Sequence, residues 1–290
     1  MAGTPHAAKD NLTLGPALEK ENELRRWMRE AGRVLVAYSG GVDSTYLAFV
    51  ASSELGSDVL CIMGLSPSVS QFQRREAAAA AMSGGFQFSS LDTDELEDGS
   101  YTANPSNRCY FCKSELYGKL RQFADRENIV MILDGTNADD IRDHRPGRQA
   151  AAENGVRSPL AEIGFTKDEI RERSRVHGLA SSDKPASPCL SSRIAYGVPV
   201  TIERLSQVER AEQLLRTEGF TEFRVRVHGD LARIEVAVDE LAGLLEPRFA
   251  ARVCRGIKEL GFGYVTIDLE GFRSGSMNAN VQIGTYVTDK

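Results

Sequence analysis

A chain of 290 residues is longer than most single cores and can bury its interior without disulfide staples, so two units are expected. A formal charge of -6 argues against a broad nucleic-acid footprint, which needs clustered Lys and Arg, and no stretch approaches the ~20 apolar residues that span a bilayer. Five cysteines, an odd number, and a start without an export leader point to reduced thiols in a cytoplasmic setting rather than to a disulfide framework.

Residues 1–16, rich in small and polar side chains, read as a disordered tail. From about Leu18 to Met28 apolar positions recur at helical spacing, and "RVLVAY" follows as a short buried strand. "STYLAFVASSEL" resumes a helical pattern. Strand-like runs return at "DVLCIMG", "FQFSSLD" and "IVMILDG", with helical stretches at "QFQRREAAAAAM" and "SELYGKLRQFADREN" between them. Alternation of this kind predicts an α/β unit built on a parallel sheet. The alanine run at 77–81 reads as a closely packed helix face.

After the Ser- and Pro-rich stretch "SSDKPASPCLSSRIAYGVPV" the character changes. A long helix, "TIERLSQVERAEQLLRTEG", leads to two alternating strands, "FRVRVHG" and "ARIEVAV", then a helix and a last strand, "YVTIDL", the order of a ferredoxin-like half. The expected division is 17–195 for the parallel-sheet domain, 196–278 for a smaller C-terminal α+β domain that binds substrate or supports oligomerisation, and 279–290 for a C-terminal tail.

"AYSGGVDSTYLA" sits where the first strand ends and a helix begins. Gly40 and Gly41 let the backbone turn so that successive N–H groups, through Val42 and the helix N-terminus, face one anion, with Ser39 and Ser44 adding hydroxyls. The Lys of the ordinary phosphate loop is missing, and Asp43 would repel phosphate unless magnesium lies between them. Strand, S-G-G-x-D-S and helix together resemble the pyrophosphate loop (PP-loop) of the N-type ATP pyrophosphatases, the adenine nucleotide α-hydrolase-like fold, which implies cleavage of ATP between its α and β phosphates and AMP transfer. A second strand end, "LDGTNADDIRDHRPG", offers Asp134, Thr136, Asn137, Asp139 and Asp140 for nucleotide or magnesium, although Asn and Asp are also ordinary turn residues.

"NRCYFCKSEL" raises three readings for Cys109 and Cys112: half of a structural zinc site, a redox pair, or two ligands of an iron–sulfur cluster. A redox pair lacks a thioredoxin-like context, although a helix start lowers a thiol pKa. Structural zinc wants four Cys or His ligands, and Cys61 and Cys254 read as core thiols. Cys189 lies in the connection between the two units. Three thiolates suit a [4Fe–4S] cluster with one open iron able to carry sulfide.

"SGGVDST", "GTNADD", "RPG", "PCLSSRIAYG", "FRVRVHGDLARIEV" and "YVTIDLEGFRSGSMN", in this order over nearly the whole chain, resemble the LarE-type pyridinium-3,5-biscarboxylic acid mononucleotide sulfurtransferases. That resemblance implies adenylation of a pyridinium carboxylate with ATP and Mg2+ and its conversion to a thiocarboxylate for the nickel-pincer nucleotide cofactor. It implies catalytic roles for Ser39, Asp43 and Cys189. The family divides between members that sacrifice one cysteine, matching Cys189, and members with the C-x-x-C as well, in which a cluster on Cys109, Cys112 and Cys189 is thought to deliver sulfide. This sequence contains all three, so the resemblance implies that Cys109, Cys112 and Cys189 ligate a [4Fe–4S] cluster, with a sacrificial Cys189 as the alternative, and the sequence names no sulfide source.

A pyridinium mononucleotide carries carboxylates and a phosphate, for which Arg is the fitted partner, so Arg193, Arg224 and Arg226 are candidate substrate contacts. Arg224 and Arg226 share one strand face, which is either functional or simply solvated; Glu235 on the neighbouring strand could pair with them or touch a metal. A tRNA thiolase with a three-cysteine cluster is the near rival, disfavoured by the acidic charge, and an ammonia-dependent synthetase or a non-catalytic ATP sensor stands further off. Family members commonly self-associate, so a homo-oligomer is expected.

Overall fold

The computed structural model describes residues 15–141, 146–273 and 275–278. Most of the two expected tails, and Arg145 of the R-P-G motif, lie outside the described residues. Gly15 caps the first helix, Pro16–Ala31, and Pro16 occupies its first turn, where a missing N–H costs nothing.

Four parallel strands follow: β1 (Val34–Ala37), β2 (Val59–Leu65), β3 (Ser89–Asp92) and β4 (Met131–Leu133), in the order β3-β2-β1-β4. Val34, Leu35 and Val36 are buried on both faces, as a central parallel strand must be. The chain leaves β1 to one side for β2 and returns to its other side as β4, so the switch point of the sheet falls between the carboxyl ends of β1 and β4. Ligands bind at such crevices. Two expected strands are shorter than their apolar runs. Phe86 and Phe88 turn instead onto Tyr38, with ring centroids 5.4 and 5.0 Å away. Beyond β4, a bridge to Arg157 that no periodicity marked extends the sheet.

Helices Val42–Leu55, Gln71–Ser83, Arg108–Arg126 and Lys167–Val176 belong to this unit. Ser70 with Gln73, and Thr166 with Glu169, close capping boxes that fix where two of them begin. The alanine run behaves as expected: Ala77, Ala80 and Ala81 are buried.

The second sheet has β5 (Phe223–His228), β6 (Leu231–Val236) and β7 (Tyr264–Ile267) in the order β5-β6-β7. β5 and β6 are antiparallel; β6 and β7 are parallel, joined through helix Pro247–Glu259. Its core of Val225, Val227, Ile234, Leu205, Val208 and Ile257 also takes in Leu190, Ile194 and Tyr101 from the preceding chain. The division at 195/196, which we keep as a proposal, therefore cuts through a segment that both units hold.

Candidate functional site

The loop between β1 and helix Val42–Leu55 is held from below. Gly40 has φ +74, and a Cβ there would stand 2.5 Å from the Cβ of Ala77, so both backbone shape and space require glycine. Ser39 and Ser44 share a hydroxyl hydrogen bond of 2.9 Å, and the Ser39 N–H donates to Ser44 Oγ at 3.2 Å. No side chain caps helix Val42–Leu55 at Gly41, so its first N–H groups stay available to an anion.

The turn after β4 closes on this loop. A Cβ on Gly135 would come 2.7 Å from the Ser44 nitrogen, and Asn137 Nδ2 donates to Asp43 Oδ1 at 3.3 Å. Asn137 Oδ1 also accepts from the N–H groups of Asp139 and Asp140, so it caps the short helix Ala138–Ile141 while steadying Asp43. Asp134 engages both oxygens with protein donors: Tyr117 and Thr136 hydroxyls at 3.0 Å each, Ser158 at 2.6 Å, and the Thr136 N–H at 3.1 Å. That suits holding the turn in shape more than direct contact with a nucleotide.

Lys167, unmarked by any motif, reaches Asp43 across the crevice from the first turn of its helix, and its own N–H donates to Asp139 at 2.8 Å. It places a cation at a loop that lacks the phosphate-loop Lys. Lys113 is a second cation missed in the sequence. The Tyr117 phenol and, against burial, Cys112, Asp134 and Cys109 hold its ammonium above the ordinary value. Lys113 thus stands between the Asp134 turn and the cysteines.

Cys109 and Cys112 lie in the first two turns of helix Arg108–Arg126. Asn104, fully buried with φ +56, donates to the carbonyls of Ala195 at 2.8 Å and Val198 at 2.7 Å, which ties the chain before that helix to the segment after Cys189. Burial pushes the Cys112 thiol up, and Cys189, Glu95 and Cys109 add to it. Tyr101 feels both Cys189 and Cys112, and Tyr196 feels both Cys109 and Cys189. Asn104 and the electrostatic neighbourhood of Tyr101 and Tyr196 thus relate the C-x-x-C helix start to the Cys189 loop. The placement of the three thiols is not yet that of a ligand set: among the described residues no three His, Cys, Asp or Glu side chains stand close enough to hold a metal ion together. Cys109 is exposed on the helix while Cys112 turns toward the second core. The donor chemistry fits a thiophilic centre. Cys61 is a core thiol, pushed up to about 12 by burial.

Cys189 is fixed through its backbone. Its carbonyl accepts from Ser192 Oγ at 2.7 Å and from Arg193 at 3.1 Å, and its Sγ lies 2.9 Å from Ser191 Oγ. Arg193, buried, also donates to the Pro188 carbonyl and pairs with Glu212 at 2.9 Å. Its donors are used to moor the Cys189 loop to helix Ile202–Thr217. Arg226 and Glu235 form a buried pair at 2.8 Å, with Ser276 and Arg233 completing the carboxylate's partners. Pairing is thus the geometry of Glu235, and this face is not solvated at either residue. Arg224 differs. It donates to the carbonyls of Phe223 and Ala186 and stacks on Phe272, and burial, with Arg193 and Arg226 nearby, pushes it down to about 10. A half-buried guanidinium among other guanidinium groups is prepared for an anion.

A parallel sheet whose first strand runs through S-G-G-V-D-S into a helix at the switch point, with a small second sheet beside it, makes this an α/β protein of PP-loop type. A subunit of the glutamine-hydrolysing GMP synthase of Methanopyrus kandleri is 24% identical to it over 214 residues, 69% of this chain and 67% of that one. No protein-family model matches the chain. It is 36% identical over 263 residues, 89% of its length and 95% of the relative's, to the pyridinium-3,5-bisthiocarboxylic acid mononucleotide synthase of Lactiplantibacillus plantarum. It is 45% identical over 259 residues, 89% of its length and 97% of the relative's, to an uncharacterised protein of Synechocystis. The chain belongs to the LarE family of that synthase. Among the described residues no helix is long and apolar enough to cross a membrane.

Proposed function

We propose that the chain is an ATP- and magnesium-dependent sulfurtransferase acting on pyridinium-3,5-biscarboxylic acid mononucleotide. What supports it best is the series of contacts from Asp43 through Asn137 and the Asp134 turn to Tyr117 and Lys113, the residue that follows Cys112 in the C-x-x-C helix.

A substrate carboxylate oxygen attacks the α-phosphorus of ATP, and pyrophosphate leaves. The uncapped helix start at Gly41, the Ser39 and Ser44 hydroxyls and the Lys167 ammonium are the groups that meet the phosphates. Asp43 would share a magnesium ion with them, giving up its Lys167 contact. A sulfur nucleophile then attacks the acyl carbon and AMP leaves, with Lys113 compensating charge between the two half-sites. Cys109, Cys112 and Cys189 would hold a [4Fe–4S] cluster, which when bound supplies a place for a transferable sulfide. Arg224 takes a phosphate or carboxylate of the mononucleotide, and the Arg193–Glu212 and Arg226–Glu235 pairs keep that wall in place.

Protein prepared without oxygen, incubated with ATP, magnesium and the pyridinium substrate, should release pyrophosphate and yield a thiocarboxylate. Release without the carboxylate substrate, or none at all, would overturn the reading. Close to four irons per chain, lost on replacing any one of the three cysteines by Ala, supports the cluster. An iron-free chain that emerges from one turnover lighter at Cys189 by the elements of hydrogen sulfide makes Cys189 the sacrificial donor.

A further inference from the structure

Residues 184–189, which end on Cys189, form neither helix nor strand, and side-chain donors hold them instead. Arg224 donates to the Ala186 carbonyl at 3.1 Å, Gln73 Nε2 to those of Ser187 at 2.8 Å and Pro188 at 3.2 Å, and Arg193 to those of Pro188 at 2.6 Å and Cys189 at 3.1 Å. Arg193 ties these carbonyls to helix Ile202–Thr217 through Glu212, and Arg224 ties them to β5. Gln73 ties them to the parallel-sheet unit, from the opening turn of helix Gln71–Ser83. Just past the cysteine, the Leu190 N–H donates at 2.8 Å to the carbonyl of Ser68, in the segment between β2 and that helix. Cys189 is therefore clamped on both sides to the carboxyl end of β2, the neighbour of β1 in the sheet.

The same helix supports the glycine loop. One turn on from Gln73, ~6 Å along the axis, Ala77 packs against Gly40, and its carbonyl accepts from the Tyr38 hydroxyl at 2.7 Å. The amide of Gln73 suits both of its contacts: Oε1 accepts from the Ser70 N–H at 3.0 Å in the capping box, which turns Nε2 toward the two carbonyls. Lys184 adds a second tie, at 2.9 Å to Glu76. We propose that Gln73 is a positioning residue for sulfur transfer: from the helix that supports Gly40 it fixes the reach of Cys189 toward the acyl adenylate formed at that loop. The inference rests on the sulfurtransferase reading above, and it holds whether Cys189 gives up its own sulfur or anchors another donor. A sulfur atom placed by a rigid element meets the activated carbon before water does.

The test compares the full-length wild type with two variants. Gln73→Glu keeps the oxygen acceptor that the capping box uses and loses the donor to Ser187 and Pro188, whereas Ser70→Ala loses the cap and keeps that donor. Protein prepared without oxygen is given ATP, magnesium and the pyridinium substrate, and thiocarboxylate and pyrophosphate are both counted. Gln73→Glu should lower the thiocarboxylate formed per pyrophosphate ~10-fold or more, because water takes the adenylate that the displaced sulfur misses, returning the carboxylate and AMP. It should also speed hydrogen exchange at the Leu190 amide ~10-fold or more. Ser70→Ala should keep the wild-type ratio. A ratio in Gln73→Glu within about twofold of wild type, or a Leu190 amide that exchanges as in wild type, overturns the proposal. An equal fall in both variants also overturns it, by making Gln73 part of the cap alone. Should Gln73→Glu fail to fold, Gln73→Met is set against Ser70→Ala and decides by the same ratio. Wild-type protein that forms no thiocarboxylate overturns the sulfurtransferase reading and this inference together, whereas an active wild type matched by Gln73→Glu overturns this inference alone.

Discussion

Lys167 and Asp43 meet across the crevice between β1 and β4, although 124 residues separate them in the chain. The lysine's helix starts at Thr166 through a capping box, and Lys20 on the first helix holds that box's Glu169 at 2.7 Å. The cation is therefore delivered by the fold, from a helix whose position two other helices set.

Replacing Lys167 by Met should slow pyrophosphate release by about 100-fold, the scale on which loss of one preorganised donor to a developing charge is felt. Lys167→Arg should recover part of it. Because the residue is partly exposed and its pair with Asp43 is a surface contact, thermal stability should move by less than ~1 kcal/mol. A release rate within twofold of wild type in Lys167→Met would leave the lysine as a mere partner of Asp43.

Gly40→Ala should damage both fold and activity. The methyl group would collide with Ala77 Cβ and with Ala77 Cα at 2.7 Å, and the residue would have to hold φ +74. Overpacking and left-handed strain together cost about 2–4 kcal/mol. Urea unfolding should show the midpoint fall with an unchanged slope. Adding Ala77→Gly removes only the Cβ contact, so the double variant should recover part of the loss.

Much of this architecture was legible in the sequence because its signals are local. β1, the glycine loop and the following helix are consecutive, and the four apolar runs became the four strands, with Phe86 and Val130 left out by tertiary packing and exposure. Lys167 and Lys113 were not legible, since a charged residue shows no sign in the sequence of which distant wall it will face. The arginines were half legible. Their type and alternation marked a wall, but only the structure shows that Arg226 and Arg193 meet buried glutamates while Arg224 does not. Asn104, an αL residue whose backbone role no spacing rule marks, ties the chain before Cys109 to the segment after Cys189.

Glu212→Gln should destabilise the chain by about 3–5 kcal/mol, because it leaves the buried Arg193 guanidinium without its counter-charge. The carboxylate also accepts from the Val225 N–H at 3.2 Å, so β5 is loosened with it. The apolar double variant Arg193→Met with Glu212→Leu should be less unstable than the single change. Chemical denaturation of the three proteins checks the order, and a double variant worse than Glu212→Gln would show that the pair is not the main mooring of the Cys189 loop.

Acid stability should depend on Glu21, far from the crevice. Burial pushes its carboxyl up, but hydrogen bonds from Arg173, His177 and Arg25 outweigh burial and hold it at about 2, against an ordinary value of 4.5. Tyr46 adds a hydrogen bond at 3.0 Å. A carboxyl depressed in the folded state stabilises it fully above its unfolded value, and that contribution is lost as pH falls from about 4.5 toward about 2. The shift corresponds to roughly 3 kcal/mol. Glu21→Gln should therefore be less stable at pH 7 and lose less stability than wild type between about pH 5 and about pH 2, a difference readable from urea midpoints across that window. Parallel curves for the two proteins would show that the first helix is held in the core by its apolar face, Leu24 and Met28, and that the ionic network is incidental.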